Sequence, residues 1–383
     1  MAYGDYPDLQ GIKKILVVKL RHLGDVLLTG PVFTALKKTF PEAQIDAFIW
    51  SESVPMLQGH PAIDGFIEYD REWKKLGWKK FLKEWSLLKK IRNKKYDLVL
   101  NLTEGDRGAL AAQFSRARIK VGFDPKGKGF FGKKNIYTHL IKNCPSLRHT
   151  VERNLDAVRR IGIFPQPEQR DLFLHVPKEA IFAMQKKVGF DPFILIHPTS
   201  RWRFKCWPIE HMRKLAHCLI ERGHRLVFTS GPDPVEISMV EEIVQGISAI
   251  NLSGKISLKE LAALIQQTQT LFCVDSVPLH MASAFKTPTV AIFGPTSEIT
   301  WGPWRNEKAR IVSQSMSCRP CYQDGCGGSK RSDCLTTLSV SKVLSAYDSL
   351  WEKELWEAIP NKNPGKGLQR TKVLCQGLGQ SPN

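Results

Sequence analysis

The sequence predicts an α/β protein of two domains, each built on a parallel sheet, and three observations carry that reading. Short aliphatic and β-branched runs alternate with amphipathic stretches along the chain. A Pro-rich interruption near the middle separates two such series. The 383 residues also exceed what one ordinary domain packs around a single core. With 42% hydrophobic and 24% charged residues, both halves can bury a core, which excludes a disordered or fibrous chain.

The run Lys14-Ile-Leu-Val-Val-Lys-Leu20 reads as a strand, followed by a glycine-containing turn and an apolar-periodic helix over 26–40. Strand-like runs recur at 44–50, 96–102, 193–197, 225–230, 271–275 and 288–293, with helical patterns at 106–116, 208–222, 234–245 and 278–286. Strands alternating with helices of this length pair in parallel, because a parallel connection needs a long crossover. The series breaks at Ile163-Phe-Pro-Gln-Pro-Glu168, Val176-Pro177 and Asp191-Pro192. This divides the chain into residues 1–175, residues 176–350 and a final stretch, 351–383. The last holds the end of a helix over 339–356 and a tail rich in Gly, Pro, Gln and Lys, expected to be disordered. Open α/β sheets bind ligands outside the carboxyl ends of their strands, so two such domains facing each other place the active cleft between them.

Charge narrows the partner. Lys and Arg total 56 against 37 Asp and Glu, a formal net charge of +19. Residues 1–190 hold 34 basic and 20 acidic side chains, net +14, whereas residues 191–383 hold 22 and 17, net +5. The front half therefore expects an anionic partner: nucleic acid, an anionic membrane surface or a phosphorylated substrate. No apolar run approaches the ~20 residues of a membrane-spanning helix, and polar Met1–Gln10 carries Asp5 and Asp8 instead of a cationic secretion signal. Membrane contact is expected to be peripheral. Nine cysteines, an odd number, with no export signal predict reduced thiols in a cytoplasmic protein.

The loop Arg21-His-Leu-Gly-Asp25 follows the first strand and opens the first helix. It is neither a G-x-G-x-x-G fingerprint nor a P-loop. Asp25 fits two roles there, an N-cap of the helix or a general base facing the cleft. Lys19, Arg21 and His22 surround it with cationic or titratable groups. In the rear half, Thr199 and Ser200 offer hydroxyls and Lys205 a point charge to phosphate. Glu236 either accepts from ribose hydroxyls or only balances a helix N-terminus. Strand 271–275 ends at Asp275, Ser276 can cap, and Pro278 fits a first turn, presenting backbone N–H groups to an anion such as a pyrophosphate. His280 falls in that first turn, where a histidine can equally be structural. Gly294-Pro295-Thr296 closes a further strand with a tight turn. Four polar strand ends in one domain favour a bound nucleotide over four coincidental caps.

Val18-Lys-Leu-Arg-His-Leu-Gly-Asp25, His197-Pro-Thr-Ser200 with Lys205-Cys-Trp-Pro208, Asp275-Ser-Val-Pro-Leu-His280 and Phe293-Gly-Pro-Thr296 stand in this order across about residues 12–350. In that combination the chain resembles the ADP-heptose:lipopolysaccharide heptosyltransferases of glycosyltransferase family 9 from Gram-negative bacteria. The Arg21-His22 loop and Phe204-Lys-Cys-Trp207 are most similar to the branch that adds the third heptose of the inner core. The resemblance implies a GT-B fold of two facing Rossmann-like domains, the front one binding the acceptor and the rear one the nucleotide sugar. It implies Asp25 as catalytic base and Lys19, Arg21, His22 and Gly24 as acceptor-binding residues. Thr199, Ser200, Lys205, Glu236, Asp275, Ser276, His280, Gly294, Pro295 and Thr296 are implied donor-binding residues. Val277 stands where many members carry glycine. The implied donor is ADP-L-glycero-D-manno-heptose, with no cofactor required. The implied acceptor is the phosphorylated heptose/Kdo-lipid A inner core at the cytoplasmic face of the inner membrane, and nucleic acid is no partner. No Asp-x-Asp metal motif ends a strand, so protein cations and dipoles must stabilise the leaving diphosphate.

Two features stand outside this scheme. Residues 71–95 contain 11 Lys or Arg with Trp78, Phe81, Trp85 and Leu88 at helical spacing. That is either a face for an anionic membrane surface or a core-facing stripe with a solvated basic back, with nucleic-acid binding a lesser alternative because no recognition motif accompanies it. Lys126, Lys128, Lys133 and Lys134, among glycines, form a second basic loop suited to a phosphorylated acceptor. Cys318, Cys321, Cys326 and Cys334 read as unligated thiols ahead of a structural zinc site, since their spacing lacks paired C-x2-C knuckles. The alternatives are a GT-B transferase or epimerase using another nucleotide sugar, and a non-catalytic basic protein binding membranes or nucleic acid.

Overall fold

The structure, a computed structural model, describes residues 5–142, 144 and 146–357; the tail expected to be disordered, from Pro360 to Asn383, lies outside them. Two six-stranded sheets are formed, parallel throughout. The front sheet comprises β1 (Lys14–Lys19), β2 (Gln44–Trp50), β3 (Gly65–Tyr69), β4 (Leu98–Asn101), β5 (Ile119–Phe123) and β6 (His139–Ile141), in the order β3-β2-β1-β4-β5-β6. The rear sheet comprises β7 (Ile194–His197), β8 (Leu226–Phe228), β9 (Ile250–Asn251), β10 (Thr270–Val274), β11 (Thr289–Phe293) and β12 (Ala309–Ser313), in the order β12-β11-β10-β7-β8-β9. Counted from its own first strand, each sheet has the same doubly wound order. Both therefore reverse direction between their first and fourth strands, with Ile15 beside Leu98 in front and Cys273 beside His197 behind. That crevice is where a doubly wound fold binds its ligand.

The central strands are buried along almost their whole length, as both-face coverage of a parallel sheet demands, so apolar residues fill all but their ends. The sequence does not mark β3, β5, β6, β9 and β12, whose runs are short or interrupted, as in Ile119-Lys-Val-Gly-Phe123. The helix expected over 26–40 is divided into Leu23–Leu27 and Gly30–Thr39. Thr29 turns its hydroxyl back onto the Val26 carbonyl at 2.6 Å, and Pro31 sits in the first turn of the second piece, where a missing N–H costs nothing.

One apolar cluster runs through both lobes, from Ile15 and Leu36 through Leu155 and Met184 to Leu279 and Phe293. Polar links close its rim. His149 stacks on Trp304 at 4.6 Å and donates from Nε2 to the Gly302 carbonyl at 3.0 Å. The Trp304 indole donates to the Arg170 carbonyl at 2.6 Å, and Asp171 takes both Lys286 and Arg305 at 3.0 Å. The helix Lys178–Val188 packs on Leu258–Gln267 of the rear lobe. Among the described residues, no helix is long and apolar enough to cross a membrane.

Candidate active site

The ends of β1 and β4 are stitched together before the first loop begins. The Leu20 N–H donates to Thr103 Oγ1 at 2.8 Å, the Thr103 N–H to Asn101 Oδ1 at 3.0 Å, and Asn101 Nδ2 to the Tyr137 hydroxyl at 2.7 Å. Lys19 belongs to this scaffold. It is buried, and its ammonium donates to Asn154 Oδ1 at 3.0 Å and the Leu102 carbonyl at 3.3 Å. Burial pulls its pKa down to about 8, with Asp25 acting against that shift. Lys19 thus lies behind the surface expected to meet the acceptor.

Asp25 is the third residue of the helix Leu23–Leu27, and His22, not Asp25, occupies the N-cap position. The half-buried Asp25 carboxylate accepts no hydrogen bond and joins no ion pair among the described residues. Gly24 is buried against the rear lobe: a Cβ there would come within 2.8 Å of His280 Cδ2. Glycine at 24 is what lets the two lobes meet beside Asp25. His22 lies edge-on to Trp50 at 5.4 Å, and its Nδ1 accepts from Arg201 of the rear lobe at 3.1 Å. Burial, then the Arg201 charge, lower the His22 pKa. Arg21 is exposed.

Across the cleft, the rear-lobe groups bind one another. Lys205, in the turn Arg203–Lys205, reaches Asp275 Oδ2 at 2.6 Å, and Thr296 donates to the same oxygen at 2.7 Å. Thr199 is fully buried and donates to Glu236 Oε2 at 2.6 Å, which also receives the Gly231 N–H at 3.2 Å. The Thr199 hydroxyl therefore orients Glu236 instead of opening onto the cleft as expected for a phosphate ligand. Ser200 Oγ, half-buried, accepts the Trp202 N–H at 3.3 Å. Ser276 is the N-cap of the helix Val277–Phe285, yet its hydroxyl turns to the Val274 carbonyl at 3.3 Å and leaves the helix end uncapped by a side chain. Val277 packs against the apolar cluster. His280 is buried with no partner for Nδ1 among the described residues; burial lowers its pKa, and the Asp275 and Asp25 charges oppose that shift. The Gly294–Thr296 turn is clasped from outside, with Arg319 Nε donating to the Gly294 carbonyl at 2.6 Å and the Tyr322 N–H to the Pro295 carbonyl at 3.0 Å.

A cavity of about 590 Å³ opens where the lobes meet, lined by Lys126, Lys128, Arg148 and Arg153 in front and by Trp301 and Tyr322 behind. Lys133 is buried on its wall, paired with Asp106 at 3.0 Å, and Lys134 pairs with Asp124 at 3.8 Å. Arg148, Arg153 and Arg201 escape sequence reading. Arg201 lies in a polar loop that sequence alone marks for ligand binding, but nothing in the sequence brings Arg148 and Arg153 to the ends of β4 and β5.

The cysteine cluster has no support as a zinc site. Cys318, Cys321, Cys326 and Cys334 carry free thiols, and among the described residues no three His, Cys, Asp or Glu side chains are grouped to hold a metal.

Two facing Rossmann-like sheets with a polar interlobe cleft make up a GT-B fold. The chain belongs to glycosyltransferase family 9 (heptosyltransferase), whose sequence pattern matches residues 84–330. It is 32% identical over 356 residues to lipopolysaccharide heptosyltransferase 3 of Escherichia coli, covering 91% of this chain and 100% of that one. Among solved structures it is similar to a family 9 glycosyltransferase from Veillonella parvula, with a TM-score of 0.78 and 24% identity over 89% of this chain and 98% of the other. It is also similar to E. coli heptosyltransferase WaaC with ADP, with a TM-score of 0.70 and 20% identity over 88% and 99%.

Proposed function

We propose that the protein transfers heptose from ADP-L-glycero-D-manno-heptose to the inner core of lipopolysaccharide, with inversion and without a metal. The observation that carries this reading is the unpartnered Asp25 carboxylate, held at the lobe contact opposite the Lys205–Asp275–Thr296 cluster. Asp25 takes the proton from an acceptor hydroxyl, whose oxygen then bonds to the anomeric carbon. The bond from that carbon to ADP breaks on the opposite face, and its electron pair leaves with the diphosphate. Lys205, Ser200 and the free N–H end of the helix Val277–Phe285 meet the charge growing on that diphosphate. Glu236, fixed by Thr199 and Gly231, receives the ribose hydroxyls. Thr296 holds Asp275, and through it Lys205, while the Gly294–Pro295 turn forms the cleft floor. His280 bridges the donor sugar and the Gly24 contact. Arg21 and His22 meet the acceptor directly, and buried Lys19 steadies their loop.

The acceptor is a phosphorylated heptose/Kdo-lipid A core, which the basic interlobe cavity suits through Lys126, Lys128, Arg148 and Arg153. Because such an acceptor is lipid-linked, the protein works at the cytoplasmic face of the inner membrane, in peripheral contact with it. Incubating the purified protein with ADP-heptose and truncated core acceptors tests the reading. The expected product is one heptose heavier, with the anomeric configuration inverted and turnover insensitive to chelator. Thermal stabilisation by UDP but not ADP, with no heptose transferred, would overturn it in favour of another nucleotide sugar.

A further inference from the structure

The segment 71–95 resolves into a one-sided arrangement that the catalytic scheme does not use. Its helix, Lys79–Lys94, buries Leu87 and Ile91 and turns Glu84 inward to the Tyr69 hydroxyl at 2.7 Å and Arg107 at 3.1 Å. At 100° per residue, positions 78, 81, 82 and 85 fall together on the side opposite that core face. Trp78, Phe81, Leu82 and Trp85 there are 58–69% exposed. Trp78, Phe81 and Leu82 are therefore not core-facing, whereas Leu88, half-buried, packs inward and Trp85 sets its ring edge-on to Phe114 at 5.7 Å.

Topology decides where the stripe lies. The chain enters this helix from the carboxyl end of β3 and leaves it for the amino end of β4, so residues 71–85 sit at the cleft end of the front sheet. The loop after β5 ends there too, and it adds fully exposed Phe131 and half-exposed Phe130. Both elements rest on the start of the helix Asp106–Ser115, through Glu84–Arg107 on one side and Lys133–Asp106 on the other. Lys74, Lys79, Lys80, Lys83, Lys126 and Lys128 rim these aromatics, and none has a carboxylate partner within 4 Å among the described residues.

We infer that this end of the front lobe is the membrane-docking surface, with Trp78, Phe81, Leu82 and Phe131 entering the headgroup region of an anionic bilayer and the surrounding lysines contacting its phosphates. Large aromatic and aliphatic side chains inside a ring of unpaired lysines match the two parts of such a surface, apolar below and anionic above. A second copy of the chain fits poorly, because a two-fold contact would set the same lysines against each other. The inference rests on the lipid-linked acceptor proposed above and adds which face docks: one that turns the basic cavity toward the lipid.

Flotation of the full chain with vesicles tests it. Binding is expected to phosphatidylethanolamine vesicles containing phosphatidylglycerol, to weaken as salt rises, and to be absent with phosphatidylcholine alone. The variant W78S/F81S/L82S, whose side chains make no core contact, is expected to lose about tenfold or more in vesicle affinity. Its melting temperature and its transfer to a delipidated, water-soluble core acceptor are expected to stay unchanged. Should it not fold, K74E/K79E/K83E gives the same readout through charge. Equal vesicle binding by parent and variant, no binding by the parent, or a dimer that the variant dissolves would each overturn the proposal. Failure of the parent to act on the water-soluble acceptor would instead sink the heptosyl-transfer reading, whatever the vesicles show.

Discussion

The front and rear lobes repeat one strand order but manage charge at their switch points in opposite ways. Behind the cleft, Lys205, Asp275 and Thr296 satisfy one another, as do Thr199, Glu236 and Gly231. In front, Asp25, next to the Gly24–His280 lobe contact, accepts no hydrogen bond and joins no ion pair among the described residues. On the proposed reading, a pre-formed network holds its donors in place before the diphosphate arrives, so little reorganisation accompanies catalysis. A base, by contrast, works only if its lone pair is available to an incoming proton. On the proposed reading, the difference separates a lobe built to grip from a lobe built to react.

The largest test of that contrast is Asp25→Ala. Turnover is expected to fall about 10³-fold, while ADP affinity by calorimetry stays at the parent level, because no rear-lobe bond involves Asp25. Near-normal turnover would remove Asp25 from the base role. Lys205→Gln keeps a hydrogen-bond donor toward Asp275 but removes the cation. ADP-heptose affinity is expected to weaken about 30-fold, within the range for losing a charged hydrogen bond, and unchanged affinity would break the description of the gripping lobe. Gly24→Ala sets a Cβ against the His280 ring. It is expected to lower kcat about tenfold through a misplaced lobe contact, with ADP affinity untouched. Equal losses in both would mean that the contact shapes the nucleotide site itself.

The smallest effect is acid softening, which both lobes share. Buried His60 in front and His197 behind each keep their proton off until about pH 4, against the ordinary 6.5, because burial disfavours the charged ring. The unfolded chain takes up that proton from about pH 6.5 downward, so stability is full above that pH and declines as pH falls toward 4. Between pH 7 and pH 6 each histidine contributes a loss of about 0.7 kcal/mol. Thermal melts across that interval check it, and removing His60 by His60→Gln is expected to flatten the slope.

Legibility followed burial on both faces. β1, β2, β7, β10 and β11 are almost wholly buried runs, and a parallel sheet requires near-continuous apolar sequence at its centre. β3, β5, β6 and β12 lie toward the edges, where mixed composition suffices, and they escape the pattern. The site motifs were legible because loops at strand ends carry polar residues and Gly-Pro turns that core positions exclude. What could not be read was direction. Helical spacing grouped Trp78, Phe81 and Trp85, but only packing showed that Leu87 and Ile91 take the core and leave the aromatics outside. Thr199 likewise stood in a ligand-binding loop, while its hydroxyl is turned to Glu236.

The sequence by itself determined the alternation of strands and helices, the two sheet-forming halves and the polar loops at their strand ends, because periodicity and turn residues are local consequences of backbone geometry. The tertiary structure alone decided which charges meet. Lys205 finds Asp275, His22 finds Arg201, and Gly24 yields to His280 across 70, 179 and 256 positions of chain. Such pairings are fixed by strand order and lobe packing, which no local pattern encodes.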